Sequence, residues 1–208
     1  TTLPAPKGES SADLKSVDWF LGNLERERDL TLGSIELMPI IETAKGAVAI
    51  RDIAKASSRV RRLAFGGGDY TKDLSMEWTL TEEELLPIRS EFVLASRYGE
   101  LEPPIDTVFI HIKEHTAYLK SCQNVLKLGF QGKMCIHPDQ VAVTNKTFTP
   151  SNEEVVWSKR VISEFERAEA EGVASIQVDG YFVDYPIVEK AQRIVDMANL
   201  LKELNSPS

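Results

Sequence analysis

Two carboxylates stand where short apolar runs end. Leu37-Met38-Pro39-Ile40-Ile41 closes on Glu42, and Arg62-Leu63-Ala64-Phe65 leads through Gly66-Gly67-Gly68 to Asp69. If the runs are neighbouring parallel strands, their C-terminal ends converge on one pocket and the two side chains can share a divalent cation. Magnesium suits such a pair, because it is commonly held by one or two carboxylates, with water and substrate oxygens completing an octahedron. The same positions also precede helices, where a carboxylate favours the dipole and caps first-turn amides, so metal binding and capping both stand as uses.

Other residues offer chemistry at lower specificity. The glycine run, Gly67 and Gly68 included, either presents amide donors to an anion or makes a tight turn, and no Gly-Lys-Ser/Thr follows to make it a P-loop. Lys133 and His137 bracket a run leaving a strand. Either they meet a phosphate or carboxylate of a ligand, or Lys133 faces solvent and His137 caps the next helix. His111 and His115 have the spacing of a metal pair but lack the glutamate of HExxH, and an exposed helix start is the expectation. Asp184 sits between a hairpin and a helix, placed to N-cap that helix or to close over a pocket as a general acid or base. No Ser/His/Asp or Cys/His nucleophile arrangement assembles.

The elements that position these residues alternate as βα units do. Strands are expected at Leu3–Lys7, Ser34–Ile41, Arg62–Phe65, Ile105–Ile110 and Gly132–Ile136. Helices are expected from Ser10 through the Leu14, Val17, Leu21, Leu24 stripe, over Ala44–Ala56 behind a Thr43 cap, from a Thr81 capping box to Tyr98, and over Glu114–Leu128 up to Gly129. The strand ends recur near the ~30-residue interval of a (β/α)8 barrel. About five strands cannot close one, so the sheet is either open and doubly wound or an incomplete barrel. Residues 1–150 form this part. From 151 to 208 a Ser151/Glu154 capping box opens a helix, Asp179-Gly180 turns a hairpin, and Pro186 starts a last helix.

The 208 residues carry a formal charge of -8 and no Lys/Arg cluster, which argues against nucleic-acid binding. No apolar run reaches the ~20 residues of a membrane span, and the first residues lack the order of a signal peptide. A cytoplasmic protein without membrane partners is expected. Cys122 and Cys135, without a CxxC or zinc spacing, are expected as reduced core thiols in a helix and a buried strand.

Taken in order, Ile41-Glu42-Thr43-Ala44-Lys45-Gly46, Phe65-Gly66-Gly67-Gly68-Asp69-Tyr70-Thr71, Ile105-Asp106-Thr107-Val108, Gly129-Phe130-Gln131-Gly132-Lys133 with Ile136-His137-Pro138, Phe148-Thr149-Pro150-Ser151 and Val178-Asp179-Gly180 with Val183-Asp184 resemble the HpcH/HpaI aldolase and citrate lyase beta-subunit family over nearly the whole chain. The resemblance implies an α/β TIM barrel, here mainly strands 4–8 with a C-terminal helix-hairpin-helix extension. It implies Mg²⁺ on Glu42 and Asp69 and a lyase that cleaves or forms a carbon-carbon bond in a CoA thioester such as citryl-, malyl- or citramalyl-CoA. It also implies a homo-oligomer, trimer or hexamer, in which Asp184 reaches an adjacent subunit's site and manages the proton at the enolate carbon. An aldolase acting on free hydroxy-oxo acids, or a non-catalytic binding or assembly module, are the alternatives. Two departures stand out. Gly67-Gly68 replaces the Ala-Glu of many members, and the three expected leading βα units, with an acidic motif and a substrate-gripping arginine, do not occur in the sequence.

Overall fold

The structure is a computed structural model describing residues 1–5 and 7–205. Pro6, within the first expected strand, and residues 206–208, at the end of the expected C-terminal extension, lie outside the described residues. In chain order the first elements are β1 (Thr2–Ala5), α1 (Ser11–Glu27), β2 (Glu36–Ile41), α2 (Ala44–Val48), α3 (Ile50–Ala54), β3 (Ala64–Phe65) and α4 (Gly67–Asp73). A 3-10 turn (Glu83–Leu85), α5 (Leu86–Tyr98), β4 (Ile105–Asp106), α6 (His115–Leu128), β5 (Gly132–Lys133) and α7 (Pro138–Phe148) follow. The chain ends with α8 (Asn152–Ala170), β6 (Ile176–Val178), β7 (Tyr181–Val183) and α9 (Tyr185–Asn205).

Local chemistry explains most boundaries. The Ser10 hydroxyl accepts the Asp13 amide at 3.2 Å to start α1, and Thr43 accepts the Gly46 amide at 3.1 Å to start α2. Gly129, at φ 107°, stops α6 in the left-handed conformation that costs glycine least. The expected helix over Ala44–Ala56 is two short helices meeting at Ala49. The expected Thr81 box is also displaced: Thr79 accepts the Glu82 amide at 3.2 Å while Glu84 accepts the Thr79 amide at 2.8 Å. Glu82 itself adopts φ 55°, a turn that interrupts helical geometry before the 3-10 segment. Cys135 corrects another expectation: it is exposed beyond β5, and only Cys122 is a buried thiol.

All four pairings among β1 to β5 are parallel, and spatial order equals chain order. A doubly wound sheet reverses at a switch point; this one never does, so right-handed crossovers put every connecting helix on the same face. That is the winding of a (β/α)8 barrel and removes the doubly wound alternative. The five strands form an arc of such a barrel. Leu37, Ile41 and Phe65 from the sheet and Phe92 from α5 are fully buried, with Phe65 and Phe92 rings 5.1 Å apart.

The chain divides into two compact units, Thr1–Phe148 and a second beginning at Thr149. The second has its own core of Val161, Phe165, Val178, Val183 and Ala191 joining α8, the hairpin and α9. Ser151 and Glu154 form a complete capping box, and Asp179 (φ 49°) with Gly180 (φ 84°) makes the two-residue turn that the hairpin twist requires. Among the described residues, no helix is long and apolar enough to cross a membrane.

Candidate functional site

Glu42 follows directly on β2, and Asp69 lies in the first turn of α4, the helix that follows β3. Because β2 and β3 are adjacent and parallel, with Ile41 opposite Phe65, both carboxylates reach the same side of the arc. They line one hollow of about 330 Å³ with Lys7, Thr43, Lys72 and Asp73. Capping does not account for Glu42: α2 is capped by Thr43 and by Asp73, whose carboxylate accepts the Ala44 amide at 2.8 Å. Glu42 Oε1 instead accepts the Lys7 amide at 3.1 Å from the β1 edge.

The glycine run is needed for close approach. A Cβ on Gly66 would lie 2.5 Å from the Glu42 Cβ and 2.9 Å from its Oε2, so Gly66 leaves the space that Glu42 occupies. A Cβ on Gly67 would lie 2.9 Å from the Thr107 Oγ1 and Cγ2, and the Gly67 amide donates to Thr107 Oγ1 at 2.8 Å. None of the three glycines has a positive φ, so the expected tight turn gives way to packing against neighbouring strand ends. Gly68 is the exception: it is exposed, and a Cβ there would meet only Trp78, at 3.7 Å.

A hard divalent cation fits this donor set. Two oxygen-rich side chains share one hollow, and Gly66 clears the ground beneath one of them. Among the described residues no three His, Cys, Asp or Glu side chains form a metal cage, so water or ligand oxygens would have to complete the shell.

Lys133 is placed differently from either expectation. Its side chain is fully buried, ion-paired with Asp106 and 4.0 Å from Glu82. Arg89 completes the cluster through two 2.9 Å bonds to Asp106 and one to Glu82, which Ser121 also contacts at 2.5 Å. Burial alone would push the Asp106 carboxyl up, but Lys133 and Arg89 together hold it below its ordinary value. Direct contact between Lys133 and a ligand would have to break this cluster. From the sequence alone Arg89 and Asp106 receive no role, Asp106 entering only within the Ile105–Val108 motif; the signal for them is an arginine on the apolar side of α5, between Ile88 and Phe92, and opposite charges in register at Asp106 and Lys133.

His137 takes the capping role, its Nδ1 accepting the Asp139 amide at 3.3 Å in the first turn of α7. His115 opens α6, while His111 is half-buried against Phe109 with its Nε2 buried and without a hydrogen-bond partner among the described residues. Asp184 belongs to the second unit, between β7 and α9. Its backbone carbonyl accepts the Ile187 and Val188 amides at 3.0 Å, and its carboxylate has no hydrogen-bond partner among the described residues. The side-chain cap expected there is therefore not formed.

Comparison with known proteins decides the family. The profile of the HpcH/HpaI aldolase/citrate lyase family matches residues 1–138. The chain belongs to this family. It is 32% identical over 194 residues to the citrate lyase subunit beta of Leuconostoc mesenteroides subsp. cremoris, covering 93% of this chain and 64% of that protein. It is 27% identical over 177 residues to the mitochondrial citramalyl-CoA lyase of Rattus norvegicus, covering 81% of this chain and 52% of that one. The chain thus spans roughly half to two thirds of the length of these relatives. In the fold of this HpcH/HpaI family chain, the CitE protein of Mycobacterium tuberculosis, solved with magnesium, acetoacetate and coenzyme A, matches at a TM-score of 0.72 and 23% identity, over 96% of this chain and 68% of that one.

Proposed function

We propose that this chain carries the Mg²⁺ site of a carbon-carbon lyase acting on a 3-hydroxyacyl-CoA thioester of the citryl, malyl or citramalyl class. The observation that carries this reading is the convergence of Glu42 and Asp69 from adjacent strand ends on one hollow, with Gly66 left bare beneath Glu42. Family membership supplies the reaction class, and the relatives named as lyases support it.

Glu42 and Asp69 would hold the cation, which when bound would supply Lewis-acid polarisation of an oxygen of the oxo-acid part of the substrate. Lys7 and Lys72 on the same wall offset the carboxylates' charge and attract an acidic substrate. Exposed Gly68 and half-exposed His137 remain as substrate contacts, whereas Gly67 and Lys133 act behind the surface. Cleavage breaks the bond between the carbinol carbon and the thioester α-carbon. The carbinol gives up its hydroxyl proton to solvent water and becomes the carbonyl of the oxo acid, while the α-carbon, left with the electron pair of the broken bond, takes a proton from Asp184, which solvent then reprotonates; condensation runs the same transfers backwards. On this reading the protein works as a homo-oligomer in which Asp184 serves a neighbouring subunit's site.

Mg²⁺ titration by calorimetry, with release of coenzyme A thiol from malyl- or citramalyl-CoA after coupled thioester hydrolysis, tests the reading. Asp69→Asn and Glu42→Ala should each abolish Mg²⁺ binding and turnover, and Asp184→Asn should remove turnover while leaving binding and melting unchanged. Wild-type Mg²⁺ affinity in Glu42→Ala would refute the metal assignment, and full turnover in Asp184→Asn would refute the proton-transfer role.

A further inference from the structure

The first turn of α4 is held from behind at Gly67, and the Trp78 indole lies beside the next residue, Gly68. The Gly67 amide is bonded to Thr107 Oγ1 at 2.8 Å, and Gly68 faces the edge of the Trp78 indole, whose Cζ3 would lie 3.7 Å from a Cβ there. Both groups are tied to the buried charge cluster. Thr107 follows Asp106 in the chain and is itself buried. Trp78 Nε1 donates to Glu82 Oε1 at 3.4 Å, while Glu82 Oε2 accepts from Arg89 and Ser121. The segment carrying Trp78 is fixed at each end: the Met76 amide donates to the Thr71 carbonyl at 2.8 Å, and Thr79 is bonded to Glu82 and Glu84. Asp69, the next residue along, is exposed and its carboxylate has no hydrogen-bond partner among the described residues, so its direction depends on the backbone that carries it.

We infer that Thr107 and Trp78 are positioning residues for the Asp69 carboxylate, transmitting the rigidity of the Arg89–Asp106–Lys133–Glu82 cluster to the cation site. The inference rests on the reading that Glu42 and Asp69 bind Mg²⁺. A side chain that fixes a metal ligand's orientation without touching the metal governs affinity, and its loss typically costs about 10–100-fold. The cluster is therefore part of the site, although none of its charges faces the hollow.

Calorimetric titration of the protein with Mg²⁺ alone, beside thermal melting of each variant, tests this. Thr107→Val keeps the shape and removes the acceptor, Thr107→Ser keeps the acceptor, and Trp78→Phe removes the indole edge and its donor. Thr107→Val and Trp78→Phe should each raise the Mg²⁺ Kd about tenfold, Thr107→Ser should restore it, and Mg²⁺ should change the tryptophan fluorescence of the wild type but not of Trp78→Phe. If Thr107→Val does not fold, Trp78→Phe decides alone. A wild-type Kd in Trp78→Phe, or in a folded Thr107→Val, overturns the inference and leaves the metal reading standing. A wild type that is folded but silent to Mg²⁺, or an Asp69→Asn variant that binds like the wild type, overturns that reading and the inference with it.

Discussion

Arg89→Met should be among the most damaging single substitutions in the first unit. Methionine keeps much of the arginine stem's bulk, so the change is mainly one of charge and hydrogen bonding. Arg89 is 2% exposed and makes 2.9 Å bonds to both Asp106 oxygens and to Glu82. With it the buried cluster holds two cations and two anions. Without it Lys133 alone faces Asp106 and Glu82, and one carboxylate charge is left uncompensated inside the protein. Breaking a buried pair on one side costs about 3–5 kcal/mol. At roughly 2–4 °C per kcal/mol for a unit of this size, melting should fall by about 6–20 °C. Arg51→Met is the matched control: Arg51 pairs with Glu91 at 2.9 Å, but the two side chains are 53% and 45% exposed, and its loss should cost no more than about 1 kcal/mol. Removing both charges, as in Arg89→Met with Asp106→Leu, should recover part of the loss, because Lys133 and Glu82 then balance. Urea unfolding followed by circular dichroism measures all four proteins. If Arg89→Met lies within about 1 kcal/mol of Arg51→Met, or the double variant is no more stable than Arg89→Met, the argument that uncompensated charge sets the penalty is wrong.

Glycine substitutions separate close packing from openness. Gly66→Ala should destabilise by about 1–3 kcal/mol through overpacking against Glu42 and abolish Mg²⁺ binding, whereas Gly68→Ala, meeting only Trp78 at 3.7 Å, should be neutral or stabilising by up to about 1 kcal/mol; denaturant titrations compare the two. Acid unfolding should reveal Glu25, whose carboxyl the Arg59 hydrogen bonds hold at about 2 despite burial, against an ordinary 4.5. A depressed carboxyl stabilises fully above its unfolded value, so this contribution should be present above pH 4.5 and decline as pH falls towards 2; in Arg59→Met the slope of stability across that interval should flatten. Gly180→Ala, forcing a side chain to φ 84°, should lower the stability of the second unit by about 1 kcal/mol or more, measured by melting.

How far the site could be read in the sequence depends on the range of the interactions involved. Thr43, the Ser151/Glu154 box and the Asp179-Gly180 turn are legible because each depends on neighbours a few residues away. The alternation of strands and helices is legible for the same reason, and the family motifs supplied the choice between barrel and doubly wound sheet before the strand order showed it. What failed had partners far along the chain. Thr81 lost its capping role because Glu82 is drawn at φ 55° towards Arg89 and Ser121, the latter 39 residues away. Lys133 was expected at a ligand or in solvent, and its ammonium instead answers Asp106, a contact visible only once β4 and β5 lie in register. Gly66 and Gly67 were expected either to present amide donors to an anion or to make a tight turn. Their requirement is steric and comes from Glu42 and Thr107 on the flanking strand ends.

The same long-range contacts bear on how a pair of carboxylates would suffice in the proposed cation site. A cation bound by two protein ligands keeps open positions for substrate, but each ligand then contributes a larger share of the geometry, and a loosely held one would forfeit it. Glu42 is fixed at close range by the Lys7 amide and the bare Gly66 surface. Asp69 has no comparable direct restraint, and the turn that carries it is bonded at Gly67 to Thr107, the residue after Asp106 of the buried, charge-balanced cluster. A hydrophobic replacement for that cluster could match its stability. It could not offer the Glu82 carboxylate that accepts from the Trp78 indole and from Ser121, and this is the physical reason to expect charge, rather than apolar packing, behind the α4 turn.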